Sequence, residues 1–197
     1  MTNRREFLRT AAALSAAPLA GRATFAGGRE RAAFAAVIID SRHAEARDFG
    51  ARAGALGAPL RVIEGDVTNL WQSELLGRWK VAPAAVAGLT ERPALFLLER
   101  LAWDHDLRVV YEAEHRPDER GYAAHRIVRS ADRNLGLELE AAGRRWPSVL
   151  ADALVAGIGA PSRDFRPTDA GLSAHLGEPT LLYSWIIAPR IAAKRGI

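Results

Sequence analysis

Polar and charged side chains follow four apolar runs of the chain, and their chemistry is considered first. They are Asp40, Ser41, Arg42 and His43, then Gly65, Asp66 and Thr68, then Thr90, Glu91 and Arg92, and last Glu114 and His115. The carboxyl ends of parallel strands meet at one edge of a sheet, so we expect these residues to form a ligand-binding site there. Arg42 and Arg92, each in the first turn of a helix, suit an anionic group. The simpler interpretation is that Ser41, Asp66 and Thr90 are helix N-caps and the arginines are solvated.

The segment EAEHRPDERGYAAH (residues 112–125) carries a second group of acidic and imidazole side chains. A hairpin here can bring a carboxylate opposite a histidine, as in an acid/base pair or part of a metal site. If His115 pairs with Tyr122, then Glu112 faces His125. If His115 pairs with His125, the two imidazoles lie side by side. The default interpretation is an exposed hairpin tip, because edge strands are normally charged to prevent aggregation.

The elements that must position these residues alternate between short apolar runs and helical periods. Strands are predicted at residues 32–40, 60–66, 84–89 and 107–115. Helices are predicted after Ser41, ending at Gly57, then over residues 67–80, and after Thr90, with Pro93 in the first turn. This order predicts βαβ units in an α/β, mainly parallel, three-layer sheet of Rossmann-like or flavodoxin-like type.

The second half of the chain is less regular. We expect residues 122–129 to return as an antiparallel hairpin and a helix to begin at Trp146-Pro147. Residues 157–179 hold many glycines and prolines and are predicted to be irregular. LLYSWII (residues 181–187) favours a late strand, with a short buried helix as the alternative. The expected organisation is one α/β domain over residues 27–197, with a βαβ core at 32–115 and an addition at 116–197.

The N-terminal segment has the layout of an export signal. Arg4, Arg5 and Arg9 surround Phe7-Leu8, an alanine-rich run follows over residues 11–20, and Thr24-Phe25-Ala26 offers a cleavage site. Residues 1–26 resemble the twin-arginine (Tat) signal, although Asn3 and Arg9 depart from its usual Ser/Thr and Lys. The resemblance implies a passenger that folds before the Tat translocase exports it to the periplasm. The apolar run is much shorter than the roughly 20 residues that span a bilayer, so no retained membrane span is expected.

Composition narrows the chemistry further. The leader holds four of the 27 basic residues and one of the 23 acidic residues, so the remaining chain is close to neutral and nucleic acid is not an expected partner. The chain has no cysteine, which excludes disulfides, thiolate-ligated iron–sulfur clusters and covalent c-type haem. It also lacks GxSxG, GxxxxGK[ST], HExxH and dinucleotide-binding glycine motifs, so no nucleotide-binding site is indicated and the cofactor is unknown.

Two functions follow as expectations. The first is a periplasmic binding or accessory protein that recognises a small anionic ligand or an exported enzyme at the strand edge. The alternative is a small hydrolase or divalent-metal-assisted enzyme using Asp40, Asp66 and Glu91, or Glu112, His115 and His125.

Overall fold

The fold is described from a computed structural model, which describes residues 34–130, 134–157 and 180–189. The predicted leader and the segment 158–179 lie outside these residues. The strands are β1 (Ala36–Asp40), β2 (Leu60–Ile63), β3 (Val86–Glu91), β4 (Leu107–Pro117), β5 (Ala123–Arg129) and β6 (Leu182–Pro189). The helices are α1 (Ala44–Ala55), α2 (Thr68–Leu70), α3 (Leu76–Val81), α4 (Arg92–Trp103), α5 (Leu135–Ala142) and α6 (Trp146–Gly157). A π-helical turn (Trp71–Leu75) joins α2 to α3, and a 3₁₀ turn (Gly143–Arg145) precedes α6.

The six described strands form one mixed sheet in the order β2-β1-β3-β6-β4-β5. β1 pairs in parallel with β2 and with β3. β6 lies between β3 and β4 and runs antiparallel to both, and β5 is antiparallel to β4. The predicted α/β sheet with an added antiparallel hairpin is confirmed at this level. The strand alternative for residues 181–187 is also confirmed, but its position inside the sheet was not predicted.

Helices cover both faces of the sheet. On one face, α1, α5 and α6 bury Phe49, Leu139 and Trp146 against the strands. On the other face, α3 and α4 bury Trp79 and Leu98. All five residues of β1 are buried, as expected of an apolar strand covered on both sides.

A close contact between neighbouring strands fixes the position of β6. Gly88 of β3 is opposite Trp185 of β6, and a Cβ at Gly88 would lie 2.4 Å from Trp185 Cζ2 and 2.7 Å from the Ile38 carbonyl oxygen. Trp185 Nε1–H donates to Thr90 Oγ1 at 3.1 Å, so the indole is both packed and hydrogen-bonded. The absence of a side chain at Gly88 therefore gives the late strand room to enter.

Two predicted helix caps are wrong. α1 begins at Ala44 with His43 as its N-cap, and the Ser41 hydroxyl donates to the Ile63 carbonyl instead. α4 begins at Arg92 with Glu91 as its N-cap. Thr90 is still in β3, where the antiparallel pairing with β6 extends the strand. The prediction that Pro93 lies in the first turn of α4 is confirmed.

Candidate functional site

The order of the strands changes direction between β1 and β3, because β2 lies on one side of β1 and β3 lies on the other. The chain leaves β1 through α1 on one face of the sheet, and it reaches β3 from β2 through α2 and α3 on the other face. In open α/β sheets, the general position of the ligand-binding crevice is beyond the carboxyl ends of two such strands, here β1 and β3. Asp40 ends β1 and Glu91 ends β3, so both carboxylates flank this position. We call Asp40, Arg42, His43 and Glu91 the crevice cluster.

Asp40 holds Arg42 in a fixed orientation. Arg42 Nε donates to Asp40 Oδ1 at 2.9 Å and Arg42 Nη2 donates to Asp40 Oδ2 at 2.6 Å. Burial alone would raise the pKa of Asp40, but the hydrogen bonds and charge of Arg42 outweigh it and lower that pKa below its usual value. The same hydrogen bonds raise the pKa of Arg42. The carboxylate is fully buried while the arginine side chain is 45% exposed, so the pair presents a fixed guanidinium group at the surface, with its charge balanced by Asp40.

Glu91 connects the arginine to the neighbouring imidazole. Arg42 Nη2 lies 3.1 Å from Glu91 Oε2, and His43 Nε2 lies 2.9 Å from Glu91 Oε1. Because a carboxylate only accepts, His43 carries a proton on Nε2. Within the part of the chain that the structure describes, His43 Nδ1 has no hydrogen-bond partner. The cluster therefore combines an oriented cation with an imidazole oriented by a carboxylate.

The Arg42 guanidinium lies directly against the loop after β2. Gly65 has a φ of +84°, and a Cβ built there would lie 2.6 Å from Arg42 Cζ. The left-handed backbone requires glycine at this position, and a side chain here would also displace the Arg42 guanidinium. The loop after β2 thus contributes to the site through the shape of its backbone.

The same cluster contains a possible set of metal ligands. One ligand atom each from Asp40, His43 and Glu91 lie within 4.8 Å of one another. Carboxylate oxygen and imidazole nitrogen suit several divalent metals. However, the Arg42 guanidinium already bridges the two carboxylates, so a cation can enter only if Arg42 moves away.

The other residues predicted after β2 and β3 take structural roles. Asp66 is exposed and accepts hydrogen bonds from the backbone N–H and the hydroxyl of Thr68 at the start of α2, which lowers the pKa of Asp66. Thr90 is buried and accepts from Trp185. These two residues and Ser41 therefore lie near the crevice without belonging to the cluster.

A separate set of ion pairs lies further along the strand edge. Arg92 Nη1 lies 2.6 Å from Glu112 Oε1, and Arg126 forms two hydrogen bonds with Glu114, at 2.7 and 2.5 Å. Arg92 also stacks over the ring of Tyr183 at 5.3 Å. Burial first, and then the Glu114 charge, raise the pKa of Tyr183. Arg92 and Glu114 are thus neutralised locally and do not join the crevice cluster.

The hairpin register brings the two histidines together. His115 pairs with His125 across β4 and β5, so the register with Tyr122 opposite His115 is wrong. The default interpretation of an exposed tip is also wrong for His115, which is fully buried. Strand alternation places His115 on the apolar face with Tyr111 and Trp146, and this burial outweighs the local charge pattern.

His115 is the centre of a chain of hydrogen bonds through the sheet. Its Nε2 lies 2.7 Å from Ser184 Oγ, which in turn lies 3.0 Å from the Tyr111 hydroxyl. Its Nδ1 lies 2.8 Å from His125 Nδ1, and its ring stacks on Trp146 at 4.7 Å. We call Tyr111, Ser184, His115 and His125 the polar chain. No local pattern could predict it, because Ser184 is 69 residues from His115.

Burial controls the ionisation of the polar chain. It lowers the pKa of His125 to about 4. Burial, and second the neighbouring charge of His125, lower the pKa of His115 well below its usual value. Burial also raises the pKa of Tyr111, against a smaller opposing effect of its bond to Ser184. All three groups are therefore neutral at pH 7.

Comparisons with known proteins found no matching family model, no matching curated protein and no matching solved structure. Among the described residues, no helix combines the length and apolar character needed to cross a bilayer.

Proposed function

We propose that this chain is a binding protein for a small anionic ligand, which it holds at the crevice between β1 and β3. The observation that carries the proposal is the half-exposed Arg42 guanidinium, held in place by the fully buried Asp40 carboxylate. An arginine fixed in this way loses little side-chain entropy when it binds a carboxylate or phosphate. We further propose that β2, β1 and β3 act as the Rossmann-like or flavodoxin-like part of the fold, with the ligand at its switch point.

The local charge limits the kind of ligand. Asp40 and Glu91 together more than offset the single charge of Arg42, while the N-termini of α1 and α4 add partial positive charge. A ligand with one carboxylate or one phosphate group fits this balance better than a polyanion. His43, with Nδ1 available, offers a second polar contact to such a ligand.

A melting-temperature screen tests this proposal. A panel of small mono- and dicarboxylates and phosphate monoesters is added to the purified chain, each at increasing concentration. A ligand that reaches 100 times its dissociation constant stabilises the folded state by about 2.7 kcal/mol, which raises the melting temperature of a domain of this size by about 5–10 °C. Arg42→Gln is expected to abolish the shift. Arg52→Gln, in the last turn of α1, is the matched control and is expected to preserve it, because Arg52 pairs with the exposed Asp152 and not with the cluster. A shift that persists in Arg42→Gln contradicts the proposal.

A second candidate function is metal-assisted chemistry at the same cluster. The proximity of ligand atoms on Asp40, His43 and Glu91 favours it. The same Arg42→Gln variant separates the two functions, because it removes the cation that lies between the carboxylates. Calorimetric titration with Mg²⁺, Mn²⁺ and Zn²⁺ is then expected to show tighter binding in Arg42→Gln than in the original chain if the metal function holds. Loss of binding in Asp40→Asn assigns the metal to this cluster, and an unchanged affinity contradicts it.

The export of the chain is a separate proposal that rests on residues 1–26. We propose that the Tat translocase carries the folded chain to the periplasm, where it binds its small ligand or assists an exported enzyme. Fusion of residues 1–26 to a reporter that is active only when exported folded tests the route. Replacement of both Arg4 and Arg5 by lysine is expected to stop export, and Arg9→Lys, which restores the usual residue of the signal, is expected to leave it intact. Export that survives the double replacement contradicts this route.

A further inference from the structure

Helix α4 presents several large apolar side chains to solvent. Phe96 and Trp103 are 49% and 45% exposed, and Leu97 is exposed between them. The other exposed large apolar side chains of the described residues lie on different strands, helices or turns, at Val62, Val81, Tyr122 and Leu137. Single exposed apolar residues are normal on a protein surface, whereas a group on one helix marks an interaction surface.

The exposed face of α4 has the spacing of a surface that pairs with another helix. Pro93, Phe96, Arg100 and Trp103 are all exposed and follow one another at intervals of three, four and three residues, so they form one row along the helix. The Arg100 guanidinium carbon lies 5.1 Å from the centre of the Phe96 ring and 4.1 Å from the centre of the Trp103 ring. The arginine therefore joins the two aromatic rings into a continuous surface. We call these four residues the α4 row.

Charges of opposite sign lie at the two ends of the α4 row. Arg92 begins the helix and is 47% exposed although it binds Glu112. Asp104 follows the last residue of the helix and is also exposed. The peptide dipoles add partial positive charge at the start of α4 and partial negative charge at its end. An antiparallel second copy of α4 would therefore bring the basic start of each helix to the acidic end of the other.

A twofold axis at the level of residue 98 makes the α4 row complementary to itself. The first residue of the row then faces the last residue of the row in the second copy, and Phe96 faces Arg100 of the second copy. Arg92 faces Asp104 of the second copy. A proline ring on an indole, a guanidinium on a phenyl ring and an arginine beside a carboxylate are all favourable pairs. Tryptophan, phenylalanine and arginine are also the side chains that interfaces favour.

We propose that α4 is the contact surface of a twofold homodimer, in which the α4 rows of two copies pack antiparallel. An anionic lipid surface fits the row less well, because Asp104 and Asp106 are exposed close to Trp103 in the chain and would meet charges of their own sign. The dimer uses none of the crevice cluster and does not rest on the proposed ligand.

The length of α4 limits the strength of this contact. The helix has 12 residues and is therefore about 18 Å long. One face of a helix of this length buries less than the about 800 Å² per partner that is usual in stable interfaces. We therefore expect a dissociation constant of about 10–100 µM, with monomers in dilute solution and dimers in concentrated solution.

Sedimentation equilibrium of the purified chain, from about 5 to about 500 µM, tests the proposal. Trp103→Ser is expected to raise the dissociation constant at least tenfold. Leu137→Ser, which removes an exposed apolar side chain of α5, is the matched control and is expected to leave it unchanged. A chain that stays monomeric throughout this range overturns the proposal, as does a dimer that Trp103→Ser does not weaken.

A pair of surface-charge variants tests the antiparallel arrangement without removing apolar contacts. Asp104→Arg gives a dimer in which arginine faces arginine, and Arg92→Asp gives one in which aspartate faces aspartate, so each variant alone is expected to associate at least tenfold more weakly. In an equimolar mixture of the two variants, arginine faces aspartate at both ends of the row. The mixture is therefore expected to recover the association of the original chain. A mixture that associates no better than its components overturns the antiparallel pairing.

Flotation with phosphatidylglycerol vesicles tests the lipid surface as the alternative occupant. The original chain is expected to remain in the fraction without vesicles. Vesicle binding that Trp103→Ser abolishes would assign the α4 row to a lipid surface and overturn the homodimer.

Discussion

At the scale of single residues, a glycine backbone sets the position of the cation at the crevice. Gly65 lies against the Arg42 guanidinium, and the space there is too small for a side chain. Asp40 fixes the same guanidinium from the other side through two hydrogen bonds. Arg42 is therefore held between a buried carboxylate and a loop backbone, and a change at Gly65 should alter both stability and ligand binding.

Gly65→Ala tests this contact. The added methyl group meets Arg42, and alanine is strained at a φ of +84°, so we expect unfolding by urea to show a loss of about 1–3 kcal/mol. Gly77→Ala is the matched control, because a Cβ at this helical position has nothing within 4 Å. The control is expected to gain about 0.5–1 kcal/mol. Equal effects of the two substitutions would show that Gly65 is not constrained by Arg42.

At the scale of elements, local sequence patterns predicted the strands and the residues at their ends. The apolar runs predicted each of the four strands from β1 to β4, and the placement of Asp40 and Glu91 at strand ends brought them to one crevice. The caps at Ser41 and Thr90 were wrong because tertiary contacts with Ile63 and Trp185 use those hydroxyls. The helix α5 was not predicted.

The location of β6 and the register of the hairpin could not be predicted from local patterns. β6 is a strand by composition, but its insertion between β3 and β4 depends on contacts such as Trp185 over Gly88, nearly 100 residues apart. The hairpin register depends on the burial of His115 beside Trp146, which the charged sequence around it conceals. Both features result from long-range packing, which competes with local preference and outweighs it here.

Removal of β6 tests how much the sheet depends on it. In a chain that ends at residue 179, the backbone groups of β3 and β4 that pair with β6 would lose their partners. The Thr90 hydroxyl and the side of β3 around Ala87 would become exposed. We expect this chain to lose cooperative thermal unfolding and to aggregate. A synthetic peptide of residues 180–197, added in excess, is expected to restore the near-ultraviolet circular dichroism, and a peptide with Trp185→Ala is expected to do so poorly. A cooperative transition in the truncated chain alone would contradict a central role for β6.

At the scale of the whole molecule, the buried histidines predict how stability varies with pH. Their pKa values are lower in the folded chain than the usual 6.5, so below pH 6.5 the unfolded chain binds more protons. The contribution of the two neutral histidines to the free energy of unfolding is therefore complete above pH 6.5, and it is lost as the pH falls towards 4. The carboxylates with lowered pKa values, such as Asp40, lose their contribution mainly below about pH 5, so they have little effect between pH 7.5 and 5.

Urea unfolding at pH 7.5 and 5.0 checks this dependence. We expect the free energy of unfolding to fall by about 1–3 kcal/mol, with the contribution of His125 reduced because its ring is partly in contact with solvent. His125→Asn is expected to remove much of the difference. His105→Gln, which changes a histidine in the turn after α4, is expected to retain it. A chain that is equally stable at both pH values would contradict the buried, neutral state of the pair.

The place of β6 in the sheet also has a consequence for the timing of biosynthesis. The ribosome makes β1 to β5 before it makes β6, yet β6 separates β3 from β4 and joins the two parts of the sheet. A nascent chain therefore has no complete sheet until β6 has been made, and it must be kept from aggregating until then. Completion of this fold reports that translation has passed residue 189. A cellular pathway that accepts only the folded form would then select full-length copies of the sheet and reject prematurely terminated ones.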